Sequence, residues 1–202
     1  MTENSNKEKI ILDLCGGTGA WSKPYTDNGY TVYNITLPYF DILKTRMDMN
    51  DMLVFSGKSQ LCIYPEKVYG ILAAPPCTEF AGSGARWWKK KGLKPYWDGL
   101  SIVYICMMII LTCNPNFWAL ENPVGRLIYT LGKPIHYFNP CDYGDPYTKK
   151  TCLWGKFNIP MINPVEPAGK NPIWYMPPGE DRAMLRSITP QGFAKAFYEA
   201  NQ

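Results

Sequence analysis

The chain has 202 residues, 46% of them hydrophobic and 19% charged, with a formal charge of +4. Such a composition excludes disorder and is long enough for one domain with a buried core, while the mild positive charge permits contact with phosphates without demanding it. Aromatic residues reach 14%, including 7 Trp and 14 Tyr, which suits either flat surfaces for bases and sugars or a dense core.

The N-terminal MTENSNKEKI has no apolar stretch and no cleavage pattern, so a signal peptide is not expected. Lys9–Leu14 is an apolar β-type run that ends in Asp13-Leu14 and passes at once into Cys15-Gly16-Gly17-Thr18-Gly19. A strand, a glycine turn and a helix start form the opening of a nucleotide-binding α/β unit, and the helix is expected to reach about Asn28, where Asn28-Gly29 closes it. Tyr30–Thr36 reads as a second strand and residues 41–60 as a helix with loops. Lys67–Ala74 is apolar enough for a central strand, and it runs into Pro75-Pro76-Cys77. Residues 78–99 are polar and basic, with Trp87-Trp88 and Lys89–Lys91, and read as a long functional loop.

The apolar run at 100–111 is too short, at 12 residues, to span a bilayer; it predicts a buried helix over about 98–113, and no membrane is expected. Phe117–Leu120 predicts another central strand, ending in Glu121-Asn122-Pro123. Beyond residue 130 the pattern loosens into strand candidates at 135–139 and 151–157, a proline-rich stretch at 158–178, and a last helix over Gln191–Asn201 behind Thr189-Pro190. Alternating strands and helices predict a single α/β domain built on a doubly wound, mainly parallel sheet.

Ligands of such sheets bind beyond the carboxyl ends of the strands. Three strand ends here carry unusual groups: the glycine turn, Pro-Pro-Cys and Glu-Asn-Pro. They are expected to face one crevice. The turn lacks both the GxGxxG spacing and a GK[ST] sequence, so it is neither a dinucleotide fingerprint nor a phosphate-gripping loop; DxxxGxG lets backbone approach a nucleoside cofactor, or serves packing alone. Cys77 is a nucleophile candidate whose thiolate needs neighbouring positive charge, for which Arg86 and Lys89–Lys91 are candidates; a buried, inert cysteine is the plain alternative. Glu121, beside an apolar crevice, can carry a raised pKa and hold or release a proton near neutrality, or act as a structural acceptor. The seven cysteines (15, 62, 77, 106, 113, 141 and 152) contain no CxxC, so no metal site and no redox pair is expected, and reduced thiols inside a cell are the plain reading. His136, the single histidine, reads as structural.

Together these motifs resemble the cytosine carbon-5 DNA methyltransferases, in the compact form found in phages. DLCGGTGAWS at 13–22 is similar to that family's cofactor motif, with Cys15 in place of an aromatic residue. APPCTEFAGSG at 74–84 resembles its Pro-Cys motif, and LENPVGRL at 120–127 its Glu-Asn motif, with Pro123 at a valine position. CDYGDPYTKKTCLWG at 141–155 and SITPQGFAKAFYEAN at 187–201 resemble the basic motif and the C-terminal helix.

The resemblance implies S-adenosyl-L-methionine as cofactor, DNA with a flipped cytosine as substrate, and a cytoplasmic protein of a bacterium or an infected host cell. It implies addition of Cys77 to carbon 6, with Glu121 bonding ring nitrogen 3, Asn122 beside it, and Lys149 and Lys150 standing where the family has arginines. Cofactor contacts are implied for Asp13, Cys15, Gly17, Thr18, Gly19, Trp21, Thr36, Asp41 and Pro75, although Thr36 stands where an acidic residue usually holds the ribose. Ser83, Arg86, Trp87 and Lys89 are implied on DNA, with Trp87 and Trp88 as loop anchors in the alternative reading. The family's recognition segment is reduced here to residues 156–186. An amino-methyltransferase is disfavoured, because Ala74 precedes Pro-Pro where those enzymes carry Asp, Asn or Ser, and Cys77 follows where they carry an aromatic. The rival readings are a cytidine-nucleotide C5-methyltransferase and an inactive nucleic-acid-binding homologue.

Overall fold

The computed structural model describes residues 5–168 and 181–202. Along the chain run β1 (Ile10–Leu14), α1 (Lys23–Asp27), β2 (Thr31–Ile35), β3 (Asp41–Met47), β4 (Leu53–Ser56), β5 (Gln60–Ile63) and β6 (Val68–Ala73). Next come α2 (Ala85–Lys91), α3 (Lys94–Cys113), β7 (Phe117–Pro123), α4 (Ile128–Leu131), β8 (His136–Phe138), β9 (Thr151–Lys156), α5 (Asp181–Ser187) and α6 (Gln191–Ala200).

The central sheet has the order β2-β1-β6-β7-β9-β8. Strands β2, β1, β6 and β7 are mutually parallel, and β9 runs antiparallel to both of its neighbours. The fold is thus mixed α/β around a mainly parallel sheet, as the alternating pattern predicts. Successive side chains of a strand point to opposite faces, so apolar runs without alternation serve two cores. Leu12, Leu14, Ile71, Ala73 and Leu120 share one core with Val103, Cys106, Ile109 and Ile110 of α3. Ile11, Leu72 and Ala119 share the other with Trp21, Tyr25, Phe193 and Phe197. Each Leu or Ile so buried contributes about 1.5–3 kcal/mol.

Residues 41–60 differ from expectation. They form no helix: β3, β4 and β5 make a small antiparallel sheet that packs Ile42, Leu53, Phe55 and Ile63 into the α3 core. Two local turns decide this. Asp48 Oδ1 accepts the N–H groups of Asn50 and Met52, both at 2.9 Å, and Asp51 takes φ +59°. Gly57 lies so close to Tyr39 that an added Cβ would stand 2.4 Å from its carbonyl oxygen. Helix α1 is also shorter than expected, because residues 15–22 are spent in the glycine turn and Pro24 marks the helix start.

The 78–99 segment is not simply loop. It holds α2 and the first turn of α3, separated by Gly92 at φ +72°. With 20 residues, α3 is longer than the apolar run read from sequence and is, by length and composition alone, long and apolar enough to cross a membrane. Strand β7 extends past Leu120, so Glu121-Asn122-Pro123 is still paired, opposite Leu153, Cys152 and Thr151. Of the reduced segment 156–186 and the proline-rich 158–178, residues 169–180 lie outside the described residues. His136 is structural: its Nε2 lies 3.0 Å from the Tyr143 hydroxyl and its ring stacks on Phe138.

Candidate active site at the strand tips

The parallel register carries β1, β6 and β7 to the same level, with Leu14 opposite Ala73 and Ala73 opposite Leu120. The glycine turn, Pro75-Pro76-Cys77 and Glu121-Asn122 therefore emerge side by side at one end of the sheet.

At β1, the Asp13 carboxyl is fully buried beneath the turn. Ser22 Oγ donates to its Oδ2 at 2.6 Å, while Oδ1 has no hydrogen-bond partner among the described residues. Burial raises its pKa to about 6, against the smaller lowering by Ser22. Only glycine fits at position 16, where a Cβ would lie 2.2 Å from the Asp13 carboxyl carbon. Cys15, at φ +59°, donates its N–H to Ile35 O at 2.9 Å. Its half-buried thiol meets Cys106, whose own thiol is pushed well up by that contact and by burial. Gly17 and Gly19 take φ of +55° and +73°, and Asn34 Nδ2 braces the turn by donating to Gly17 O at 3.0 Å. Gly17 and Thr18 are exposed on its outer surface.

Three of the residues implied for the cofactor are buried. Trp21 is 1% exposed and packs against Phe193 and Phe197, so its ring belongs to the core. Asp13 supports the turn from below and offers no surface of its own. Pro75 is buried, and its carbonyl is occupied by Asn122 Nδ2 at 3.0 Å. Thr36 and Asp41 flank the bend after β2, where Phe40 N–H donates to Thr36 O at 3.0 Å. Asp41 Oδ1 accepts the Leu43 N–H at 3.1 Å, leaving the carboxyl partly exposed.

At β6, the Cys77 carbonyl accepts the N–H groups of Phe80 and Ala81, both at 2.9 Å, which turns the chain sharply. Its thiol is pushed up by burial and by the Glu121 carboxylate, and drawn down by Lys149 and Arg186. Glu121 is itself raised by burial and lowered by Lys149. The tips of two adjacent strands thus bring a thiol and a carboxyl into mutual electrostatic reach, with one lysine acting on both. The neighbouring Asn122 is fully buried and ties the β7 tip to the β6 tip.

The positive field on Cys77 differs from the sequence reading in its source. It comes from Lys149 and Arg186, not from Arg86 or Lys89–Lys91. Lys149 Nζ also donates to Arg186 O at 3.2 Å, linking the segment before β9 to α5. Lys150 is not among the charges that act on Cys77 or Glu121: its Nζ lies 5.6 Å from the Tyr137 ring, and it acts on Cys152 instead. Lys91 is paired with Glu79 at 2.6 Å, and Arg86 lies over Trp87. Ser83, Arg86, Trp87 and Lys89 are exposed on α2 and the turn before it. Trp88 is the anchor instead: the Arg126 guanidinium lies 4.4 Å from its ring and 4.1 Å from that of Tyr96. Arg126 Nε also donates to Glu79 O at 2.7 Å. Sequence reasoning missed Arg126 and Arg186; the only signal for Arg126 was its place in ENPVGRL. Among the described residues, no three His, Cys, Asp or Glu side chains gather as a metal site.

No protein-family model matches the chain, and no curated protein matches it. Among solved structures it is similar to a candidate DNA modification methyltransferase encoded within a prophage of E. coli, at 16% identity and a TM-score of 0.47. That likeness covers 78% of this chain and 53% of the other, so the chain spans about half of the other's length.

Proposed function

We propose that the chain is an S-adenosylmethionine-dependent DNA methyltransferase of the doubly wound type, acting on carbon 5 of cytosine through a covalent bond to Cys77. What supports this reading above all is the meeting of Cys77 and Glu121 at neighbouring strand tips, with Lys149 acting on both.

The glycine turn fits the cofactor. Among the described residues a Cβ built on Gly17 would meet only Ser187 Oγ, at 3.5 Å, so the outer side of the turn offers bare backbone and room. Gly17, Thr18, Gly19 and the Cys15 backbone would hold the nucleoside, with Thr36 and Asp41 toward its ribose. When bound, S-adenosylmethionine supplies an electrophilic methyl group for carbon 5.

The side chains account for the rest. The Cys77 thiolate forms the S–C6 bond while Glu121 holds a proton at ring nitrogen 3, so that the ring electrons shift toward carbon 5. Solvent water takes the carbon-5 proton, the thiolate departs, and the nitrogen-3 proton returns to Glu121, which restores the aromatic ring. Both groups are raised by burial, so each holds a proton more tightly than it would in water, and the reaction needs one proton on the pair. The reactive form places that proton on Glu121 and the negative charge on sulfur, where Lys149 and Arg186 favour it. A cytosine inside a duplex cannot reach a crevice of this kind, so the base leaves the stack, with exposed Arg86, Trp87 and Lys89 facing the nucleic acid.

Duplex DNA containing 5-fluorocytosine tests the assignment, because fluorine blocks the final elimination. With S-adenosylmethionine present, the wild-type chain should form a complex that survives denaturing electrophoresis, and Cys77→Ala should form none. Trapping by the alanine variant would remove Cys77 from the role. Methyl transfer to dCMP alone, with none to duplex or single-stranded DNA, would overturn the DNA assignment.

A further inference from the structure

Helix α3 carries two apolar faces, and the sheet uses one of them. Val103, Cys106, Ile109, Ile110 and Cys113 are buried against the strands. On the opposite side Trp97, Tyr104, Met108 and Leu111 lie between 40% and 68% exposed. With Ser101 they occupy positions 97, 101, 104, 108 and 111, spaced alternately by four and three. This is the spacing by which one helix packs lengthwise against another. No charged residue occurs from Gly99 to Asn116, so nothing ionised would be buried there. Leu43 of β3, itself half exposed, widens the stripe into a groove lined with Trp97, Leu100, Ser101, Tyr104 and Ile105.

From these observations we infer that the outer stripe of α3, with Leu43 beside it, is the seam of a two-fold dimer of this chain. Its helices run antiparallel and cross at Tyr104, the midpoint of the stripe. In that arrangement the small Ser101 of each copy faces the large Met108 of the other, so the surface complements itself, as an isologous interface must. The Ser101 hydroxyl already donates to Trp97 O at 3.0 Å, so covering it strands no polar group. The area is sufficient. The five large side chains, each about half exposed, offer on the order of 500 Å² per copy. A standard interface of about 800 Å² per partner, two-thirds apolar in homodimers, needs about that much. A lipid surface fits less well, because the helix is already fastened lengthwise to the sheet and cannot turn to enter a bilayer. The seam lies outside the strand-tip crevice, and the inference does not rest on methyl transfer.

Sedimentation velocity of the full chain over a micromolar dilution series should show a species of twice the 23.0 kDa monomer mass. Tyr104→Glu and, separately, Leu111→Lys should each weaken association about thirtyfold or more, with the melting temperature of the diluted monomer unchanged. If Tyr104→Glu fails to fold, Leu111→Lys carries the same test. Because Tyr104 meets its own copy, mixing Tyr104→Glu with Tyr104→Lys should restore a mixed dimer. Wild-type chain that stays monomeric throughout, or variants that associate as wild type does, would overturn the seam. So would a monomer that floats with phosphatidylcholine vesicles in a Tyr104-dependent way, which would assign the stripe to a lipid surface.

Discussion

A fully buried carboxyl with one hydroxyl partner is costly to ionise, and Asp13 is in that position. Its pKa of about 6 in the folded chain stands above the ordinary 3.8. Below 3.8 the group is protonated in both states and has no effect. Between 3.8 and about 6 the folded chain holds the proton more tightly than the unfolded chain, so stability falls as pH rises through that window and is level above it. The loss amounts to about 3 kcal/mol. Asp13→Asn keeps the shape and removes the titration. Denaturant unfolding in steps from pH 3.5 to pH 7.5 should therefore show the variant gaining on wild type by about that amount across the window. Parallel curves would mean that the carboxyl is solvated. The same residue shows what sequence conceals at this scale. Asp13 in DLCGGTG is visible as a strand-end acid, but whether it faces a ligand or the underside of a turn depends on Ser22 and on the crowding at Gly16.

Between elements, the decisive feature is the joining of the segment after Cys77 to the segment after Glu121. Gly82 N–H donates to Val124 O and Arg126 N–H to Phe80 O, both at 2.9 Å, with Ala81 bridged to Gly125 between them. A Cβ at Gly125 would lie 1.9 Å from Phe80 O, so Gly125→Ala must push the two segments apart. The variant should lose about 1–3 kcal/mol of stability and form the fluorocytosine adduct more slowly than wild type. Gly84→Ala is the control: its Cβ would meet Thr78 O at an ordinary 3.7 Å, and stability should stay within about 0.5 kcal/mol. If both variants match wild type, the join does not position Cys77. The four parallel strands were legible because each is a short apolar run stopped by glycine, proline or a polar cluster. The β3–β5 sheet was not, because its turns rest on side-chain bonds from Asp48 and on the close approach of Gly57 to Tyr39. Helix α2 was hidden by a polar, lysine-rich sequence that reads equally well as loop.

For the whole molecule, parallel topology makes strand ends that are far apart in sequence converge, and this is why the meeting of Cys77 and Glu121 could be read from sequence. The charges around them could not be. Lys149 arrives with the segment before β9 and Arg186 with α5, and no local pattern shows that either would act on Cys77. The glycine turn beside it sets a test on the intact chain. S-adenosylhomocysteine, the product form of the proposed cofactor, binds only the folded state if the glycine turn is its seat. At a hundredfold excess over its dissociation constant it should add about 2.7 kcal/mol of stability, which for a chain of this size raises the melting temperature by about 5–10 °C. Gly17→Val should abolish the shift, because φ of +55° disfavours a branched residue and its side chain fills the room on the outer side of the turn. The variant's own melting temperature without ligand separates the strain it introduces from the binding it removes. A wild-type chain that melts at the same temperature with and without saturating ligand would leave the turn as a packing device and the methyl-transfer reading without its donor.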